Sequence, residues 1–171
     1  MSKIKLVVTA AALVLSVTVL AGGAERTEGQ APVLDPRAFP NLTQIYVASG
    51  VLDGGGAANT SSATVILCTN FTANTQQIRY LVRDLRAAVV ANITIPIGGL
   101  VTITAATHLT AAFLENLELS PGTIIAQGSL RIFATAPQIT CTVQVIDAAS
   151  ATPIGVPLHM VRHNAWPGTQ E

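Results

Sequence analysis

Residues 138–147 read Gln-Ile-Thr-Cys-Thr-Val-Gln-Val-Ile-Asp, and this stretch decides the fold. Ile139, Cys141, Val143 and Val145 alternate with Thr140, Thr142 and Gln144. A period of two sends one row of side chains into a core and the other toward water, the signature of a half-buried strand. The same period recurs on both sides. Gly128–Thr135 (GSLRIFAT) precedes it as a strand, and Pro157–Arg162 (PLHMVR) follows as a last one after the loop Ala148–Val156. Upstream, Gln76–Asp84 sets Ile78, Tyr80 and Val82 against Gln77, Arg79, Leu81 and Arg83. Ala63–Phe71 (ATVILCTNF) is almost continuously apolar, as a strand inside a sheet should be. Leu42–Ser49 is a short β-rich run, and Gly50–Gly56 after it reads as a loop too rich in glycine to pack. Ala88–Pro96 and Leu100–Thr107 are expected to pair through a turn at Ile97-Gly98-Gly99, with Val101, Ile103 and Ala105 facing inward.

The stretch His108–Ser120 satisfies neither period, because Phe113, Leu114, Leu117 and Leu119 fit a helical turn and an irregular strand equally. About eight strands at a spacing of eight to twelve residues, with no long helix, predict an all-β fold. The expected form is a two-layer antiparallel β-sandwich, immunoglobulin-like, over residues 42–164; a closed small barrel is the alternative.

The N-terminus has the layout of a secretory signal peptide over residues 1–24. Lys3 and Lys5 form a basic head, Leu6–Leu20 is uncharged, and Ala21-Gly22-Gly23-Ala24 supplies small residues for cleavage. About fifteen apolar residues rise only ~22 Å as a helix, short of a ~30 Å hydrocarbon core, so cleavage is expected rather than a stable membrane anchor. Gly23 stands where a lipid-accepting cysteine would have to be. Residues 25–41 form a proline-bearing flexible leader and 165–171 a tail that holds Trp166, the one tryptophan. The chain is expected in the periplasm or outside the cell.

Removing 24 residues from 171 leaves 147, one domain's worth. Both lysines go with the signal, leaving seven arginines against nine acids and a net charge near −2. That balance argues against nucleic acid and anionic lipid as partners. Charged residues are 11% of the chain, so little repulsion separates copies and a homo-oligomer can form. Cys68 and Cys141 form an even pair outside any C-x-x-C, which in an exported chain reads first as a disulfide.

Chemical signatures are sparse. The Gly50–Thr60 loop lacks the Gly-Lys-Ser/Thr of a phosphate cradle, and Asp53 with Asn59 falls short of a calcium shell. His108, His159 and His163 offer three nitrogens for zinc, but their segments are a loop, a strand middle and a strand end, with no acid nearby in sequence. Glu115 and Glu118 stand three apart without the aromatic lining of a sugar cleft, and Ser129 lacks the glycines of a nucleophile elbow. No catalytic, metal or cofactor residue is assigned. Four Asn-x-Ser/Thr triplets, at Asn41, Asn59, Asn70 and Asn92, are expected by chance at this threonine content.

Ile45-Tyr46-Val47-Ala48-Ser49-Gly50-Val51, Gly55-Gly56-Ala57-Ala58-Asn59-Thr60 and Cys68-Thr69-Asn70-Phe71 resemble segments of a group of small exported bacterial proteins. Ile146–Ser150 and Pro167–Glu171 fit the same group, a likeness that covers most of residues 42–171 and implies no activity. The strand order is similar to that of the sensory rhodopsin transducer family, tetrameric bacterial β-sandwiches. No site motif is shared with it, so that resemblance implies a fold class alone.

The reading that follows is an exported, non-catalytic module for binding, adhesion or structural support, whose partner is a protein or surface ligand. The alternative is a small secreted hydrolase or metal-binding protein using His108, His159 and His163 with Glu115 or Glu118. Mass measurement of the secreted protein should place the mature N-terminus at Glu25; an intact Met1 end would instead mean an anchored chain.

Overall fold

Alternating rows of β-branched and aromatic residues become ten strands in the computed structural model, which describes residues 41–163. The expected signal peptide, nearly all of the leader, and the tail with Trp166 lie outside the described residues. The strands are β1 (Thr43–Asp53), β2 (Ser62–Asn70), β3 (Gln76–Asp84), β4 (Val89–Ile97), β5 (Thr102–Ala106), β6 (Leu117–Glu118), β7 (Ile125–Ala134), β8 (Ile139–Asp147), β9 (Val156–Pro157) and β10 (Met160–Arg162). No helix occurs among the described residues.

Hydrogen bonding connects all ten into one sheet. One wing runs β4-β3-β7-β1 with β10 on the other side of β1. The second places β2 between β5 and β8, with the short β6 and β9 at its margins. β1 and β2 meet at one register pair, Asp53 with Ala63. The sheet is mixed, since β5 and β6 are parallel while the other pairs are antiparallel. It curls into a half-barrel. The described residues are all-β as the alternation predicts, but the pairings describe a curled single sheet, not two clearly separate immunoglobulin-like layers.

Each wing turns one apolar row to a shared core. Ile78, Tyr80 and Val82 of β3, Leu130 and Ile132 of β7, Ile66 and Cys68 of β2, and Ile139 of β8 belong to one buried cluster. Tyr80 is fully enclosed, and burial pushes its phenol far above the ordinary tyrosine range, so the ring stays neutral. On the other face of the second wing, Val65, Ala106 and Ile146 form a smaller cluster beneath Ala112 and Phe113. The ambiguous stretch 108–120 is therefore neither helix nor long strand. It is a folded-back loop with the two-residue β6: Ala112 and Phe113 cover the smaller cluster, Leu117 and Leu119 join the main core, and Leu114 is exposed.

Three expectations are corrected. Gly50–Asp53 is not loop: β1 continues to Asp53, with a register shift between Ser49 and Val51 and a positive φ of 88° at Gly50. A bulge takes up the glycine without ending the ladder, and Val51 is buried beyond it. Nor do β4 and β5 form a hairpin; β4 pairs with β3, and β5 pairs with β2 and β6. The Gly98-Gly99 turn carries the chain from one wing to the other. Buried Asn70 holds it, donating from Nδ2 to the carbonyls of Asn74 (2.9 Å) and Gly98 (3.0 Å). A Cβ on Gly99 would stand 2.1 Å from the Ala73 carbonyl oxygen, so only glycine fits there. The expected last strand divides as well: β9 pairs with β8, the chain breaks at Leu158 and His159, and β10 pairs with β1.

Cys68 and Cys141 stand directly opposite on β2 and β8 with Cα atoms 4.1 Å apart, joined as a disulfide. The bridge links neighbouring strands of one wing. It closes a loop spanning 73 residues, for which the chain-entropy model gives about 4 kcal/mol. Cys68→Ala with Cys141→Ala should therefore lower stability by about 2–4 kcal/mol, read as a fall in the urea midpoint. An unchanged midpoint would mean that the strands hold each other without the bond.

Candidate functional site

The buried polar residues gather where β1 hands over to β2. Asp53 ends β1 and is 1% exposed; His108 and Ser120 follow β5 and β6 and are each 2% exposed. His108 Nδ1 lies 2.7 Å from Asp53 Oδ1, and Nε2 lies 2.7 Å from the Thr60 carbonyl oxygen. A carbonyl only accepts, so Nε2 carries a proton. The carboxylate also accepts from the Gly55 amide at 2.8 Å and from the Ser120 hydroxyl at 3.2 Å.

Threonines extend the cluster. The Thr64 hydroxyl donates to the Leu52 carbonyl and accepts from the Leu52 amide, both at 2.8 Å. The Thr64 amide donates to the Thr107 hydroxyl at 3.0 Å. Three segments that would otherwise part at the sheet's junction are thus tied through side chains: the β1–β2 loop, the start of β2, and the loop after β5.

A serine, a histidine and an aspartate within one buried cluster invite comparison with a nucleophilic triad, but the order of contacts is different. Ser120 binds the aspartate and the Thr107 carbonyl, whereas His108 spends Nε2 on a backbone carbonyl. A triad needs its serine against the histidine and open to substrate. This arrangement fixes loops.

The other sequence candidates are dispersed. The His163 amide donates to the Ile45 carbonyl, and its side chain is exposed. Ile45 and Asp53 are eight residues apart on β1, roughly 25 Å of strand, so His163 and His108 sit toward opposite ends. His159 is exposed between β9 and β10. Among the described residues no three metal-ligating side chains come together. Glu115 is taken up locally: its Oε1 accepts from the Thr110 hydroxyl at 2.5 Å and the Thr110 amide at 3.0 Å. Glu118 is half-buried in β6, and Ser129 lies within β7. Asn70, in one of the four triplets, is buried and bonded through both side-chain atoms.

An open groove of about 360 Å³ adjoins the cluster through Ser61 and Ser62. Val145 and Ile146 of β8, Ile154 and Val156 line it with Asp147. Ile154 is 93% exposed and Val156 63%. In the sequence both lie in the loop Ala148–Val156, and the run Pro153-Ile154-Gly155-Val156 has no period that would mark their exposure.

No family model matches the chain, and no curated protein is similar to it. A crystal structure of Thermotoga maritima protein 1070 is similar at a TM-score of 0.42 and 13% identity, covering 68% of this chain and 91% of that one.

His108→Ala would leave a buried carboxylate without its partner and the Thr60 carbonyl unsatisfied. Losing one member of such a pair costs about 3–5 kcal/mol, and Asp53→Ala should cost as much. Because each variant breaks the same contact, the double variant should cost clearly less than the sum, as measured by urea unfolding.

Proposed function

We propose that the chain is an exported, non-catalytic module of immunoglobulin-like sandwich type that acts through its surface, in binding, adhesion or structural support. The observation that carries this is the open apolar groove beside a polar cluster whose chemistry is already committed. Ile154 and Val156 leave most of their side-chain surface in water, where a protein partner's apolar residue would gain by covering them. His108 and Asp53 keep the β1–β2 loop, and with it the Ser61–Ser62 rim, in one shape. A preformed rim reduces the ordering that binding must supply.

Three features support the finer parts of this reading. Both wings feed one core, the relation two layers of a sandwich would have. The disulfide agrees with an oxidising compartment outside the cytoplasm. The basic head and uncharged run of residues 1–20 agree with export.

Ile154→Asp would put a charge at the groove without touching the core. Mature protein and variant should melt alike, while a partner captured from the native host and identified by mass spectrometry should be lost with the variant. Capture that is indifferent to Ile154→Asp, or hydrolysis of an ester or glycoside by the pure protein, would overturn the reading.

A further inference from the structure

The outer face of the first wing carries a row of cations. Arg79 and Arg83 alternate with the buried Ile78, Tyr80 and Val82 on β3, and so project away from the core. Arg131 does the same on β7, between the buried Leu130 and Ile132. In the β3–β7 register Arg79 faces Phe133, Leu81 faces Arg131 and Arg83 faces Ser129. Arg131 is therefore diagonal to both other arginines and midway between them along the strand.

Three of the five arginines among the described residues thus share one sheet face. None forms an ion pair with an acid among the described residues. The single ion pair among the described residues is buried His108 with Asp53. The five described acids are Asp53, Asp84, Glu115, Glu118 and Asp147. Of these, Asp53 and Glu115 are bound as described, and Asp84 caps the β3–β4 turn through the amides of Arg86 and Ala88. Glu118 and Asp147 belong to the other wing. Like charges at diagonal positions repel, so an uncompensated row is unfavourable in the free protein.

The row is also held in place. Arg79 Nε donates to Asn92 Oδ1 at 2.6 Å, and its guanidinium lies 5.9 Å from the Phe133 ring centre. Arg83 donates from one terminal nitrogen to the Ala87 carbonyl at 2.7 Å. Arg131 is exposed. Both terminal nitrogens of Arg79 keep donors for a carboxylate, the fork geometry that guanidinium supplies and ammonium does not.

Spacing selects the ligand. Arg83 lies four positions beyond Arg79 on β3, so with Arg131 midway the cations advance by about 6.6 Å per step along the strand. An extended peptide repeats its side chains on one face at the same interval of two residues. We infer that the outer face of β3 and β7 is a docking surface for an extended acidic protein segment with Asp or Glu at alternate positions, its carboxylates seated on Arg79, Arg131 and Arg83. The inference rests on the surface-acting reading above but uses the wing away from the groove.

Fluorescence anisotropy of the mature protein with labelled peptides tests it. The probes are a synthetic peptide alternating Glu and Thr, its isomer with all glutamates in one block, and oligothymidylate. The alternating peptide should bind about tenfold tighter than its isomer, and Arg131→Gln should weaken it by about tenfold, the loss of one charge-assisted contact. Binding should also weaken as salt rises. Arg162→Gln, which removes a guanidinium engaged with the Pro137 carbonyl and the Tyr46 ring, should change nothing. Arg131→Gln should melt with the parent, since no hydrogen bond or ion pair among the described residues reaches that side chain. Equal binding of the block isomer or of oligothymidylate would reduce the row to unspecific charge and overturn the proposal. Failure of the alternating peptide, while Ile154-dependent capture persists, would overturn the arginine row alone and leave the surface-module reading standing.

Discussion

The carboxylate of Asp53 is the constraint on which the rest of the structure depends. It lies at the one register pair through which β1 and β2 connect the two wings, out of contact with water. A buried carboxylate is tolerable only if its oxygens are met, and here an imidazole, an amide and a hydroxyl meet them. Those donors come from separate stretches of chain, Gly55, His108 and Ser120. The demand for satisfaction at one residue therefore dictates where the β1–β2 loop and the loop after β5 must lie. Replacing a buried ion pair by apolar groups is often neutral, but removing one partner is costly, so each member holds the others in place. This one defines the corner at which the sheet curls.

Asn70 performs the corresponding task at a second crossing. Its side chain gathers the carbonyls of Asn74 and Gly98 and accepts from Thr72, which turns the chain between β4 and β5. The disulfide pins β2 to β8, and the segment from β9 to β10 spans from β8 back to β1. Polar corners and covalent or backbone ties thus close the half-barrel at several points. The apolar rows then fill a volume whose outline is already set.

How much of this was legible depended on whether the signal was local. The alternation in 76–84 and 138–147 was local; Ile78-Tyr80-Val82 and Ile139-Cys141-Val143 are buried as expected, while Val145, the last of the second row, is half-buried at the groove. The partnership of Cys68 and Cys141 was readable because two cysteines leave one intramolecular pairing. Pairings were less accessible. Gly98-Gly99 looks the same in a hairpin and in a crossover, and the difference lies in Asn70, twenty-eight residues away in the chain. The Asp53–His108 contact was hidden because Gly50 reads as loop when its neighbours are glycines, whereas a bulge carries the strand through it. His108 carried no mark of burial, since its partners are distant in sequence. The arginine row needed the β3–β7 register, which no residue spacing contains.

The strand that switches partners near the C-terminus bears on the order of events in folding. β10 pairs with β1, and β8 with β2, so the first strands of the domain must wait for nearly the last. The long adjacent hairpin, β3 with β4, lies at one margin of the sheet, and β1 finds its main neighbour in β7. Such a topology has high contact order, and chains of this kind close in milliseconds to seconds rather than microseconds. A nascent chain cannot complete the pairing of β1 with β10 until residues 160–162 are free. Until then the apolar faces of β1 and β2 stay open, which makes the interval before closure the time of greatest exposure to aggregation and to holding factors.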